Sequence, residues 1–259
     1  MRRLIIEEPV SRAAIWSGRT AWFALAVTAV AVAFMRFQLV DILPGFVSLA
    51  AALGVAVMAV LLAFAAFVRI WMEGRRGVGE AVKGLVLALV ILAYPGLYAL
   101  RALTLPALND ISTDIDDPPA FSRSRASLEA RNGRLPPDVP REKRIAQRDA
   151  YPQVAPLTLD LAPEETFDLV RKAAANRGWQ VIETVRPGGR VGLGRIEAVD
   201  RSFLLRLPDD ITVRIRPRAD GSRIDVRSAS RIGTHDLGQN ARRIRAYLDE
   251  ISNLALALK

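Results

Sequence analysis

The side chains in this chain best equipped for chemistry are aspartates and arginines. Asp110, Asp114, Asp116 and Asp117 crowd into the stretch "NDISTDIDDPPAF". Oxygen-rich clusters of that kind ligate calcium, yet the spacing is not that of an EF-hand loop and no glycine follows to make its turn. Acids beside Pro-Pro more often cap turns or pair with arginines. Such partners are plentiful: Arg214, Arg216, Arg223 and Arg227 fall in two consecutive alternating stretches, with Arg218, Arg231 and Arg242 nearby. Arginines that face each other across two strands repel unless an acid intervenes. The expectation is that Asp110, Asp114, Asp116 and Asp117, or Asp209 and Asp210, lie over Arg214 and Arg227 and tie the acidic stretch down by charge-assisted bonds. An anionic ligand, such as a lipid headgroup or cell-wall polymer, and a plainly solvated face are the alternatives.

Other routes to catalysis are closed or thin. His235 is the only histidine and there is no cysteine, which argues against zinc and excludes a Cys–His nucleophile. No "GxSxG" elbow presents a serine, and His235 beside Asp236 reads as a solvated loop residue. The run "RPGGRVGLGR" lacks the Gly-Lys-Ser/Thr ending of a phosphate loop and reads as a hairpin. No catalytic residue, cofactor or metal is expected. A hydrolase would need Asp114, Asp210, Arg227 and Asn240 to meet in space.

The elements that must position these residues are legible in part. A short strand at 157–161 leads to a helix from Pro163, with Glu164 and Glu165 in its first turn, Phe167, Val170 and Ala174 as its buried stripe and Gly178 as its stop. Strands follow at about 179–185, 190–199, 211–216 and 223–230. With Asp220-Gly221 as the turn centre, Ile215 faces Val226, Val213 faces Ser228, Arg214 faces Arg227 and Arg216 faces Asp225. A final helix over 237–256 carries Leu237, Ala241, Ile244, Leu248, Ile251 and Ala255 on one face, with Asp236 as N-cap and Gln239 as its capping-box partner. The soluble part is thus an α+β domain, a mostly antiparallel sheet packed with two helices. Such a helix can enclose an apolar pocket, so binding of lipid or another hydrophobic ligand is the second functional reading.

Ahead of that domain lie three apolar blocks, about 21–40, 46–68 and 84–105. The uncharged middle block makes a helix of roughly 35 Å at about 1.5 Å per residue, enough for a hydrocarbon core of about 30 Å. The domain expectation is a three-helix transmembrane region over residues 1–105, an extended Pro-rich segment over 106–156 wrapping the soluble domain, and the α+β domain over 157–259. Ala50 with Gly54, Ala52 with Ala56 and Ala59 with Ala63 give the middle span a small-residue seam for packing inside the bundle. Tyr94, Pro95 and Gly96 should kink the third span. The net charge of +9 is spread over both halves, and in the membrane part it follows topology. Arg2, Arg3, Arg12 and Arg19 precede span one, and Arg69, Arg75, Arg76 and Lys83 separate spans two and three, so those flanks read as cytoplasmic and the soluble domain as exported. The implied partner is the lipid bilayer, with an envelope lipid or protein possible and nucleic acid not expected. Oligomeric state is not legible.

The stretches "NDISTDIDDPPAF", "YPQVAPL", "LPDDITVRIRP" and "IDVRSASRIGTHDLGQNARRIRAYL" together resemble the signature segments of the bacterial and plastid family known as domain of unknown function 1499. The resemblance covers about residues 108–254. It implies matched positions at Thr113, Asp114, Pro118, Pro119 and Phe121, at Asp209, Asp210 and Arg214, and at Arg227, Ser228, Ser230, Arg231, Asp236, Gly238, Asn240 and Arg243. His235 stands where similar sequences often carry another polar residue. The family brings no established activity, and three preceding spans are an arrangement of some members. The reading is of a bacterial inner-membrane protein, N-terminus cytoplasmic and C-terminal domain periplasmic, acting as a non-catalytic binding or scaffolding module of the cell envelope.

Overall fold

A computed structural model describes residues 9–188 and 192–258. Three long helices come first: α1 (Arg12–Arg36), α2 (Ile42–Glu73) and α3 (Val78–Thr104). All three are long and apolar enough to cross a membrane, which makes the chain a membrane protein. The chain divides into two compact units, one built on these helices as far as Leu100, the other comprising Arg101–Phe203 and Leu207–Lys259.

The helical unit is held by alanine layers. Ala13, Ala14, Ala66 and Ala81 form one, Ala21, Ala59 and Ala88 a second, and Ala24, Ala56 and Ile91 a third. In lipid no hydrophobic force separates helix from solvent, so small side chains that let backbones close up do the packing. Gly84 shows how close: a Cβ there would lie 2.7 Å from the Ser17 carbonyl carbon. The Ser17 hydroxyl donates to the Ala59 carbonyl at 3.0 Å. Ala52, Ala56, Ala59 and Ala63 are buried as the seam requires, whereas Ala50 and Gly54 point out of the unit. Arg12, Arg19, Arg69 and Lys83 sit inside helices rather than between them, because the helices run beyond the apolar blocks. Pro95 lies within an unbroken α3. Arg2 and Arg3 lie outside the described residues.

In the second unit, β1 (Asp110–Ser112), α4 (Arg125–Ala130), α5 (Arg141–Ala150) and β2 (Leu157–Leu159) precede α6 (Pro163–Asn176). Then follow β3 (Gln180–Val185), β4 (Gly194–Arg201), β5 (Pro208–Arg218), β6 (Gly221–Ser230) and α7 (Gln239–Leu256). The expected extended segment therefore holds two short helices. Arginine-rich and nearly without apolar periodicity, α5 gives sequence reasoning little to find. The sheet runs β1-β6-β5-β4-β3, with β2 also on β6, and every pair is antiparallel. β1 and β2 lie end to end along β6, so the outer edge of that strand is covered by the segment that precedes the sheet.

One face of the sheet is apolar. Ile196, Ala198, Ile211, Val213, Ile215, Ile224 and Val226 pack beneath α6 and α7, whose Phe167, Val170, Ala174, Ile244, Tyr247 and Ile251 fill the layer. Trp179 stacks on Tyr247 at 4.4 Å, and the Tyr247 hydroxyl donates to the Val170 carbonyl at 2.8 Å. The helix–sheet interface is lined by these packed side chains.

Two local expectations are corrected. The β5–β6 turn centres on Ala219 and Asp220, with Arg218 opposite Gly221, so Ile215 faces Ile224, Val213 faces Val226, Arg214 faces Asp225 and Arg216 faces Arg223. The shift is two residues, and faces are unchanged because the pleat repeats every two. At the start of α7 the N-cap is Gly238, and the Asp236 carboxylate reaches forward to the N–H groups of Gly238 at 2.9 Å and Asn240 at 2.7 Å; no capping box with Gln239 forms.

Gly221 has φ +139°, and a methyl there would collide with the Leu159 carbonyl, where β2 joins β6. Gly221→Ala is therefore expected to cost about 2 kcal/mol or more and to release β2. Hydrogen exchange at Leu157–Leu159 checks this, and unchanged protection there contradicts the register.

Candidate functional site

The second face of the sheet is built from charges. Arg214 and Arg216 on β5 alternate with Arg223, Asp225 and Arg227 on β6. Asp225 is wholly buried and lies 3.2 Å from Arg214, 2.8 Å from Arg216 and 2.9 Å from Arg223. One carboxylate cannot neutralise three guanidinia, and the acidic stretch after β1 supplies the rest. Asp114 Oδ2 accepts from Arg216 and Arg223, both at 2.8 Å, and Asp117 Oδ2 lies 3.0 Å from Arg214 and 3.1 Å from Arg216. Arg214 also donates to the Asp117 carbonyl at 2.7 Å. Three arginines thus interleave with three aspartates. Asp116 points away to Arg148 at 3.1 Å, an exposed pair that contributes about 0–1 kcal/mol.

A second cluster sits beside the first. Arg227 forks onto Asp110, Nε to Oδ1 at 2.9 Å and Nη2 to Oδ2 at 2.8 Å, and donates to the Pro137 carbonyl at 3.0 Å. Arg131, fully buried after α4, bonds Glu197 on β4 and the Ser122 carbonyl at 2.9 Å, with Asp210 3.3 Å from its Nε. Glu197 accepts as well from the Ser122 N–H and the Thr212 hydroxyl, both at 2.9 Å. The Phe121 ring lies between the two guanidinia, each 4.9 Å from its centroid. Cation–π attraction from a desolvated arginine reaches about 2 kcal/mol, so Phe121 joins the Arg131 and Arg227 ion-pair systems. Asp210 completes the cluster by accepting the Arg231 fork at 2.7–3.1 Å.

The remaining candidates lie on the helix side. Arg243 of α7 bonds Asp209, Asn240, Asp200 at 2.6 Å and the Ser228 hydroxyl at 3.1 Å. Asn240 accepts from Ser228 at 2.8 Å and donates to the Asn109 carbonyl at 3.0 Å, so the base of β1, the end of β6 and the start of α7 are bound together. Asp210 and Arg227 thus share the second cluster, whereas Asp114 belongs to the first and Asn240 to the helix side, so the four do not converge on one pocket. His235 is half-buried rather than solvated. Its Nδ1 accepts from the Leu237 N–H and its Nε2 contacts the Leu105 carbonyl, both at 3.1 Å. Between β3 and β4 the Gly192 N–H donates to the Gly188 carbonyl at 3.1 Å; residues 189–191 of the glycine run lie outside the described residues.

Burial works against these carboxylates. It pushes the Asp110 carboxyl above its ordinary value of 3.8 despite the fork from Arg227, and does the same to Glu197 despite Arg131 and to Asp209 despite Arg243. For Asp114 burial also pushes upward, but the Asp117 N–H, Arg216 and Arg223 outweigh it and hold its pKa below 3.8. Sequence reasoning missed Arg131, Glu197 and the placement of Phe121; it set Arg223 and Asp225 on the charged face without the network that joins them. Glu197 alone carried a signal, an acid within an otherwise apolar alternating strand.

Along the border of the second cluster runs a cleft of about 250 Å³. Asp110, Asp210 and Arg231 line it on the sheet side, and Arg134, Pro136–Pro140 and Lys143 on the other. Among the described residues no group of His, Cys, Asp and Glu has metal-ligating geometry.

Removing Arg227 leaves Asp110 buried and uncompensated, so Arg227→Ala is expected to cost about 3–5 kcal/mol and to expose residues 109–121 to protease. Resistance equal to wild type contradicts this. The unfolded chain binds the Asp114 proton more tightly than the folded chain, so its stabilisation is full above about 3.8 and drains as pH falls below it. The urea midpoints of wild type and Asp114→Asn should differ near neutral pH and converge as pH drops through that value; a constant gap would count against the pairing.

The model of the family described as "Protein of unknown function (DUF1499)" matches residues 110–251. Comparison with curated proteins gives no match. The matched span opens at the first ion-pairing aspartate of β1 and closes within α7, so it takes in both arginine clusters, and the chain belongs to the DUF1499 family.

Proposed function

We propose that this protein is anchored in a bacterial inner membrane and displays its α+β unit in the periplasm as a non-catalytic binding or scaffolding module of the envelope. Orientation rests on charge. The chain before α1 lies against the α2–α3 turn, where the Ser11 N–H donates to the Arg76 carbonyl at 2.9 Å and Val10 bridges Arg76. Arg12, Arg19, Arg69, Arg75, Arg76 and Lys83 thereby gather towards one end of the helical unit, and that end is cytoplasmic by the positive-inside tendency. The opposite end carries Arg36, Asp41 and Arg101. An odd number of spans then puts the second unit outside.

The observation that carries the non-catalytic reading is the internal use of the candidate groups. Asp110, Asp114, Asp117, Asp209, Asp210, Asp225 and Glu197 are each held by at least one arginine. A general acid or base needs a free face towards substrate, and a nucleophile needs a base beside it. Carboxylates held this way serve shape instead. They present a rigid surface whose open feature is the cleft, which is where a ligand or partner would engage.

The natural chain has no cysteine, so single reporters can be placed at will. Lys172→Cys, exposed on α6, is expected to react with a membrane-impermeant maleimide in intact cells whose outer membrane is permeabilised. Glu73→Cys, exposed at the end of α2, is expected to react only after lysis. The reverse pattern overturns the orientation and the envelope role.

A further inference from the structure

The cleft beside Asp110 and Asp210 holds cations that its own fold does not neutralise. On the sheet side, Arg131, Arg227 and Arg231 stand against Asp110, Asp210 and Glu197, three charges of each sign in contact. These groups cancel. The rim differs: Arg134 and Lys143 line the cleft with Asp138, and none of the three has an ion-pair partner among the described residues. Two positive charges against one negative leave the rim a single positive charge. Lys143 is near enough to depress the proton affinity of Asp110, yet the two form no ion pair, so the ammonium stands off from the carboxylate across the opening.

The surroundings select further. Pro140 and Lys143 line the cleft at the start of α5, whose first-turn N–H groups no side chain caps; Glu142 in the same turn offsets part of the helix dipole and does not line the cleft. Leu135, Pro136 and Val139 supply apolar wall on the same side. A planar carboxylate is matched best by a single guanidinium fork; a point-charge ammonium and a guanidinium reaching in from two residues suit a tetrahedral group with oxygens in several directions. Apolar wall beside the cations accommodates carbon arms.

We infer that this cleft binds a small, singly charged phosphodiester at its Arg134–Lys143 rim, supplied either as a phospholipid headgroup or as a free glycerophosphodiester. The inference deepens the proposed binding role and names its ligand class. It is independent of orientation, because the cleft's preference is measured on purified protein whichever side of the membrane the unit occupies.

The test uses the full chain in a non-ionic detergent, titrated with glycerophosphoglycerol and, separately, with phosphatidylglycerol in mixed micelles, and read by phosphorus NMR. Wild type is expected to bind at least one of them, and Arg134→Glu with Lys143→Glu together is expected to weaken that binding tenfold or more. Both side chains lie at the rim outside the buried clusters, so the melting temperature should stay within a few degrees. If the double glutamate variant does not fold, Arg134→Gln with Lys143→Gln is expected to weaken binding severalfold. Binding of the free ester identifies a soluble ligand, and binding of the lipid alone identifies the membrane as its source. Absence of binding to both, binding unchanged in the folded double variant, or acetate bound as tightly as the phosphodiester overturns the inference.

Discussion

The constraint on which the soluble unit depends is neutralisation of an arginine-rich sheet face. β5 and β6 place Arg214, Arg216, Arg223 and Arg227 side by side on one face, where only Asp225 lies among them. Left like that, the two strands would hold like charges at close range with few counterions, and the register itself would be at risk. The chain solves this with carboxylates from outside the strands. Asp110 of β1 pairs with Arg227, and Asp114 and Asp117 reach the other three from the stretch that follows β1. Burial raises the proton affinity of Asp110 and Glu197, so these pairs do not by themselves make the domain stable. What they confer is a unique arrangement, because a guanidinium fork accepts its carboxylate in few orientations and Phe121 fits only between two guanidinia correctly spaced.

That arrangement explains why a Pro-rich stretch of low apolar content is ordered at all. Residues 113–140 bury few apolar side chains beyond Phe121, yet their backbone carbonyls at Asp117, Pro119, Ser122 and Pro137 are bonded by Arg214, Arg227 and Arg131. Proline supplies no N–H and fixes φ, so such a stretch forms few backbone bonds of its own, and arginines offering several donors each are suited to replace them. The two faces of the sheet thus follow different physics, apolar packing under α6 and α7 and ion pairing under the strap. They meet at β1, where Ile111 enters the core and Asp110 meets Arg227.

How far the sequence revealed this follows the same division. Alternation and capping located every strand of the β3–β6 meander and both large helices, and the long apolar blocks located the membrane helices, because these elements are dictated by apolar periodicity. α4 and α5 were hidden: they owe their existence to tertiary bonds such as Gln147 to the Ser112 backbone, not to a stripe of their own. The hairpin register slipped by two because Asp-Gly at 220–221 resembles a turn centre, whereas Gly221 is the first residue of β6 and is required there by the close passage of Leu159. For the charged face, the tie between the acidic stretch and the arginines could be argued from composition, but not the pairing of each acid. Nothing within its own segment foretells the burial of Arg131 between Glu197 and Asp210.

The account turns on whether Asp110 and Arg227 act as a coupled pair that holds the strap to the sheet. The most direct measurement is a double-mutant cycle with Asp110→Ala and Arg227→Ala, read as the opening free energy of residues 109–121 by native-state hydrogen exchange. The two single variants are expected to lose protection heavily and the double variant hardly more than either, a coupling of about 2 kcal/mol or more. Additive losses, with coupling near zero, would contradict it.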